Sequence, residues 1–127
     1  MQRLILRLVL AALTFLIGGV LTKVADRILG PDHKIEARQN LLKQELRDLR
    51  KRLDLYASDK QRLPSSLEDL VKANYVTQMP VDPMTGNGDW APVMGDDPFG
   101  AIKRQGVVDV HSKAEGKDRS GVAYREY

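Results

Sequence analysis

The chain has no cysteine, two histidines and a single tryptophan among its 127 residues. Without cysteine there is no disulfide framework and no thiolate metal site, and the redox compartment stays open. A zinc site built on His33 and His111 would have to lean on carboxylates, an uncommon ligand set. Motifs of catalysis are missing too: no Gly-x-Ser-x-Gly elbow, no phosphate-binding loop and no His-Glu-x-x-His helix. His111 stands near Asp109 and Ser112. Side chains two apart on a strand share a face, so His111 and Asp109 can touch while Ser112 points away. A structural histidine is the simpler reading, and no enzymatic activity is expected.

An excess of charge of one sign is lacking as well. The net charge is only +3, and residues 32–62 interleave nine Lys/Arg with six Asp/Glu. That mixture reads as a solvated helix face rather than a phosphate-binding stripe, so no nucleic-acid partner is expected.

The first feature present is an apolar run. Charged residues make up 29% of the chain, yet none occurs among the fourteen residues from Leu8 to Leu21. A helix of that length covers about 21 Å, short of a hydrocarbon core of about 30 Å. Leu4, Ile5 and Leu6 lengthen it if Arg7 snorkels to the headgroups. Leu8, Leu13, Phe15, Leu16, Ile17 and Leu21 would then form a membrane and assembly helix, within an anchor spanning residues 1–30. A cleaved secretory signal is the competing reading, but Thr22 to Arg27 offers no small-x-small site. A short N-terminal tail with Arg3 and Arg7 favours an N-inside, C-outside orientation, which in a bacterium puts the rest in the periplasm.

Pro31 should interrupt or kink the helical pattern, with Asp32 as a cap. From there to about Lys60, Ile35, Leu42, Leu46, Leu49, Leu53 and Tyr56 recur at steps of seven, four, three, four and three, which makes one apolar stripe. Asp48 and Arg52 are placed to pair at i,i+4. The stripe is either a coiled-coil seam about three heptads long or one wall of an intramolecular core. Residues 63–127 are too few for a large core of their own, which favours the second: Leu42, Leu46, Leu49, Leu53 and Tyr56 as the core between helix and head.

After a turn at Leu63-Pro64, Ser65 or Ser66 should cap a short helix that ends near Asn74. Residues 82–100 are loop-like, with a short strand expected over Trp90–Val93. Gly106–His111 is the clearest strand, and Val122–Tyr127 reads as a last one. The expected class is α+β: a membrane anchor (1–30), an amphipathic spine (31–62) and a small head (63–127).

Several local patterns occur in an order that resembles type IV pilins and pseudopilins, above all the major pseudopilins of type II secretion. They are Leu53-Asp-Leu-Tyr56, Asp59-Lys60, Leu63-Pro64, Leu67-Glu-Asp-Leu-Val71, Tyr75, Pro80-Val-Asp-Pro83, Thr85-Gly86, Asp89-Trp90, Val108-Asp-Val-His-Ser112 and Gly116. The resemblance covers about residues 35–127. It implies a pilin-like fold, in which a long N-terminal helix packs on a small antiparallel sheet. It also implies a structural subunit held in the bacterial inner membrane, with other pseudopilin or pilin-like subunits as homo- or hetero-oligomeric partners. Some members of the family bind calcium in the last loop, where this chain has Asp109, Ser112, Glu115 and Asp118, with Ser120 nearby. Hard oxygen ligands suit that ion, but ordinary turn chemistry also accounts for these residues, and Lys113, Lys117 and Arg119 oppose a cation. The N-terminus departs from the pattern: Leu6 stands where the family's cleavage-site glycine is expected and Ala11 where its glutamate is. That departure raises a second reading, a membrane-anchored periplasmic binding module that does not assemble.

Overall fold

The computed structural model describes residues 30–127. The six residues assigned above to the membrane helix, Leu8 to Leu21, lie outside the described residues. Among the described residues no helix is long and apolar enough to cross a membrane. The chain divides into two compact units, Met1–Ala37 and Arg38–Tyr127. The described elements run α1 (Pro31–Lys60), α2 (Glu68–Lys72), β1 (Ala91–Asp96), β2 (Gln105–His111) and a 3₁₀ turn (Tyr124–Glu126).

Pro31 occupies the first helical position of α1, where its missing N–H costs nothing. The Gly30 carbonyl accepts from the His33 and Lys34 amides. Asp32 therefore lies in the first turn rather than at the cap, where the helix dipole still favours an acid. At the far end Lys60 is the last helical residue, and Gln61 turns to a left-handed φ of 51°.

Within the second unit, α1 is one wall of the core. Leu42, Leu46, Leu49, Leu53 and Tyr56 are buried together with Leu67, Leu70, Trp90, Val107, Val110, Ala114 and Tyr124. Each fully buried leucine contributes about 1.5–3 kcal/mol of transfer free energy. Asp48 and Arg52 form no ion pair, and both side chains stay exposed to solvent.

The expected serine cap of the short helix is not what starts it. Leu67 is the residue at the N-cap of α2 and makes no side-chain cap bond. Leu67 is buried in the core, which sets the helix start, and Asp69 reaches back to accept the Ser65 amide at 2.8 Å. Asn74 closes the helix at a φ of 61°, and the Leu70 carbonyl accepts the Tyr75 amide at 2.8 Å.

β1 and β2 form a two-stranded antiparallel sheet, Ala91 opposite His111 and Asp96 opposite Gln105, with a register shift between Val93 and Met94. The architecture is thus one long helix followed by a small antiparallel sheet, an α+β arrangement. β1 runs further than the expected Trp90–Val93. Trp90 itself precedes the strand, buried, with Nε1 donating to the Pro80 carbonyl at 2.8 Å. Gly106 lets β2 approach the turn after α1: the Val107 amide donates to Pro64 O at 2.8 Å, and a Cβ on residue 106 would collide with Leu63 Cβ.

The strand expected over Val122–Tyr127 is absent. An isolated bridge joins Lys117 to Ala123, and the chain then coils into the 3₁₀ turn. The Val122 and Tyr124 amides, which a strand would offer to a neighbour, are taken by Asp118 and by the Gly116 carbonyl. Gly121, at a φ of 87°, supplies the reversal.

Two substitutions test this packing by urea denaturation. Leu46→Ala should cost about 2–5 kcal/mol, as deletions in well-packed cores do. Gly106→Ala should cost about 1–3 kcal/mol through overpacking, although alanine is ordinarily the better residue within a strand.

Candidate functional site

The polar chemistry of the head gathers where its C-terminal segment meets α1. Arg50 stands one residue beyond the buried Leu49 and turns its guanidinium toward the sheet. Its Nε donates to Asp109 Oδ1 at 2.7 Å, and Nη2 donates to the main-chain oxygens of Val110 at 3.0 Å and Tyr127 at 2.7 Å. One side chain thus ties helix, strand and C-terminal turn together, and the planar fork of arginine suits this better than lysine would. Burial pushes the Asp109 carboxyl up, but the Arg50 bond and the Val110 amide outweigh it and hold the group below the usual carboxylate range.

His111 joins the same knot. Its Nδ1 lies 3.0 Å from the Tyr127 oxygen, and Nε2 lies 3.5 Å from Asp109 Oδ2. Lys43 sits over the Tyr127 ring, 4.5 Å from its centroid, and Gln39 donates to the Tyr124 hydroxyl at 3.0 Å. The Tyr124 and Tyr127 rings meet edge to face.

Ser112 faces the other way, into the protein. It is buried and its hydroxyl donates in a short bond to Asp82 Oδ2, while Asp82 Oδ1 accepts the Met84 and Thr85 amides. Ser112 Oγ also accepts the Ala114 amide. Asp82 and Ser112 therefore staple the 82–87 turn to the segment after β2, each satisfying the other's buried polar atoms. Nothing in the sequence marks this pairing across 30 positions except the Asp-Pro-Met-Thr-Gly wording of a side-chain-stabilised turn.

The four residues named for calcium do not converge. Asp109 is engaged by Arg50, Ser112 by Asp82, and Glu115 is exposed. Asp118 is encircled by donors: Oδ1 accepts the Ser120 amide, the Ser120 hydroxyl and the Val122 amide, and Oδ2 accepts the Tyr127 hydroxyl at 2.7 Å. Among the described residues no group of three or more His, Cys, Asp or Glu side chains could hold a metal ion. The Asp109, Ser112 and Asp118 oxygens each serve a local turn or staple.

No family model matches the chain, and no curated protein or solved structure matches it either.

What the arrangement can do is hold. The Ser120 and Tyr127 hydroxyls keep the Asp118 carboxyl far below its ordinary range. Burial and the Asp118 carboxylate push the Tyr127 hydroxyl up to about 12. The signs follow by linkage. Asp118 is depressed in the folded state, so its contribution is present above about pH 4 and is lost as pH falls below that toward the folded value. Tyr127 is raised, so its contribution is present below about pH 10 and is lost as pH rises toward 12. The melting temperature should therefore be level between these limits and fall outside them. Tyr127→Phe should flatten the alkaline limb, which calorimetry across pH would show.

Proposed function

We propose that the chain is a pseudopilin-like structural subunit of a type II secretion or type IV pilus-like assembly. In this reading Leu8–Leu21 anchors it in a bacterial inner membrane, and the domain from Arg38 onward stands in the periplasm as a pilin-like head. The observation that carries the reading is the use of α1. The helix runs for 30 residues, and its apolar stripe is the wall on which the small sheet is built. A helix of this kind suits a pilin-like head built against the amphipathic helix that leads into it. The sequence resemblance over residues 35–127 supports it, as does a head whose polar groups are spent on turns and staples. The protein would act by packing, without catalysis.

The second reading, an anchored binding module that does not assemble, is motivated by Leu6 and Ala11 in place of the family's glycine and glutamate. The two diverge on oligomerisation. After membrane fractionation, amine crosslinking should yield dimers and larger species of the native chain. A strictly monomeric membrane protein would defeat the subunit reading. Installing Leu6→Gly with Ala11→Glu should then raise the multimer yield, because it restores the processing site and the buried charge.

A further inference from the structure

Three asparagines occur in the chain, Asn40, Asn74 and Asn87, followed by Leu41, Tyr75 and Gly88 in turn. The main-chain nitrogen of the next residue can attack an asparagine side chain, and a glycine there, with no Cβ, hinders the approach least. The fold widens the contrast. Asn40 lies within α1, and the Tyr75 amide after Asn74 is engaged by the Leu70 carbonyl at 2.8 Å. Asn87 and Gly88 are both exposed, and the Gly88 amide donates to no group among the described residues.

The Asn87 side chain is also set up as an electrophile. Its Oδ1 accepts the Asp89 amide at 2.9 Å and the Thr85 hydroxyl at 3.3 Å. Both donors stand where negative charge gathers when Cγ is attacked. Nδ2, the leaving group, is held by no hydrogen bond among the described residues. Nor does the turn require glycine at 88. Its φ is not left-handed, and a Cβ added there would meet no atom beyond its chain neighbours closer than Pro80 O, at 3.5 Å.

We propose that Asn87-Gly88 is a site of spontaneous covalent modification, where Asn87 cyclises onto the Gly88 nitrogen and reopens as aspartate and isoaspartate. Water and its hydroxide are the only co-reactants. Hydroxide takes the Gly88 amide proton, and the nitrogen forms a bond to Asn87 Cγ. The Cγ–Nδ2 bond then breaks, and Nδ2 takes a proton from water and leaves as ammonia. The product is a five-membered succinimide. Water adds to either of its carbonyls. Addition at Cγ breaks the bond just made and gives aspartate. Addition at the Asn87 main-chain carbon breaks the original peptide bond, so the chain runs on through the side chain as isoaspartate.

The place of this residue gives the change a consequence. The Asn87 carbonyl accepts the Asp82 amide at 2.8 Å and so closes the 82–87 turn, and Asp82 is the acid stapled to Ser112. Isoaspartate puts an extra methylene into the main chain and moves that carbonyl. Either product adds a negative charge near Asp89, whose Oδ1 already accepts from Lys113. The modified turn should therefore loosen from the segment after β2. The inference stands on this turn alone and is independent of the subunit reading.

The test is to age the purified full chain at neutral and at alkaline pH and follow each asparagine by peptide mass spectrometry. Asn87 should lose its amide, faster at the higher pH, and yield isoaspartate together with aspartate while Asn40 and Asn74 stay intact. Gly88→Ala should slow the loss about tenfold or more. Thr85→Val, which removes one donor to Oδ1, should slow it about threefold. Hydrogen exchange at the Asp82 amide should quicken as isoaspartate accumulates in the native chain. Circular dichroism verifies the fold of each variant before ageing. Loss at Asn87 no faster than at Asn40 or Asn74, or an unchanged rate in Gly88→Ala, overturns the proposal.

Discussion

The burial of one stripe of α1 is the interaction on which the rest of this structure depends. The sheet has only two strands, and a two-stranded ribbon in water is marginal by itself. Val107 and Val110 of β2 become a core only because Leu42, Leu46, Leu49 and Leu53 lie beneath them. The short α2, the buried Trp90 and the C-terminal turn attach to that same seam. A helix that could be stripped from the head would leave almost nothing folded behind.

The polar contacts fix what the apolar stripe leaves free. Hydrophobic burial is non-directional and does not set where a loop runs. Arg50 sets the C-terminal segment against the strand, Asp82 and Ser112 set the turn before β1 against the segment after β2, and Asp118 sets the last loop on itself. These groups satisfy one another within the fold, and among the described residues no buried side-chain polar atom is left without a partner.

The helix was legible in the sequence because burial imprints a period on it: steps of three and four from Leu42 to Tyr56 have no simpler cause. Gly106–His111 was legible for the same kind of reason, since a glycine followed by β-branched residues suits a close-packed strand. Val122–Tyr127 misled because its composition is strand-like while its amides are claimed by Asp118 and Gly116, a competition invisible to local propensity. The serines before α2 misled because Leu67, drawn into the core, outweighed the cap. Arg50 was not legible at all. Nine basic residues occupy 32–62, and only the fold shows which one stands at the border of the stripe facing three acceptors. The acids of the last loop were read as a ligand set because oxygen-rich, glycine-containing turns and calcium loops share a composition and differ only in where the oxygens point.

The account joins this head to a retained membrane segment, and the state of that segment in the mature protein is its most direct test. Mass spectrometry of the N-terminus of protein isolated from membranes reads it in one step. The account predicts a mature chain that keeps Leu8–Leu21. A first residue beyond Leu21, on a chain found in the soluble fraction, would contradict it and leave a freely exported domain instead.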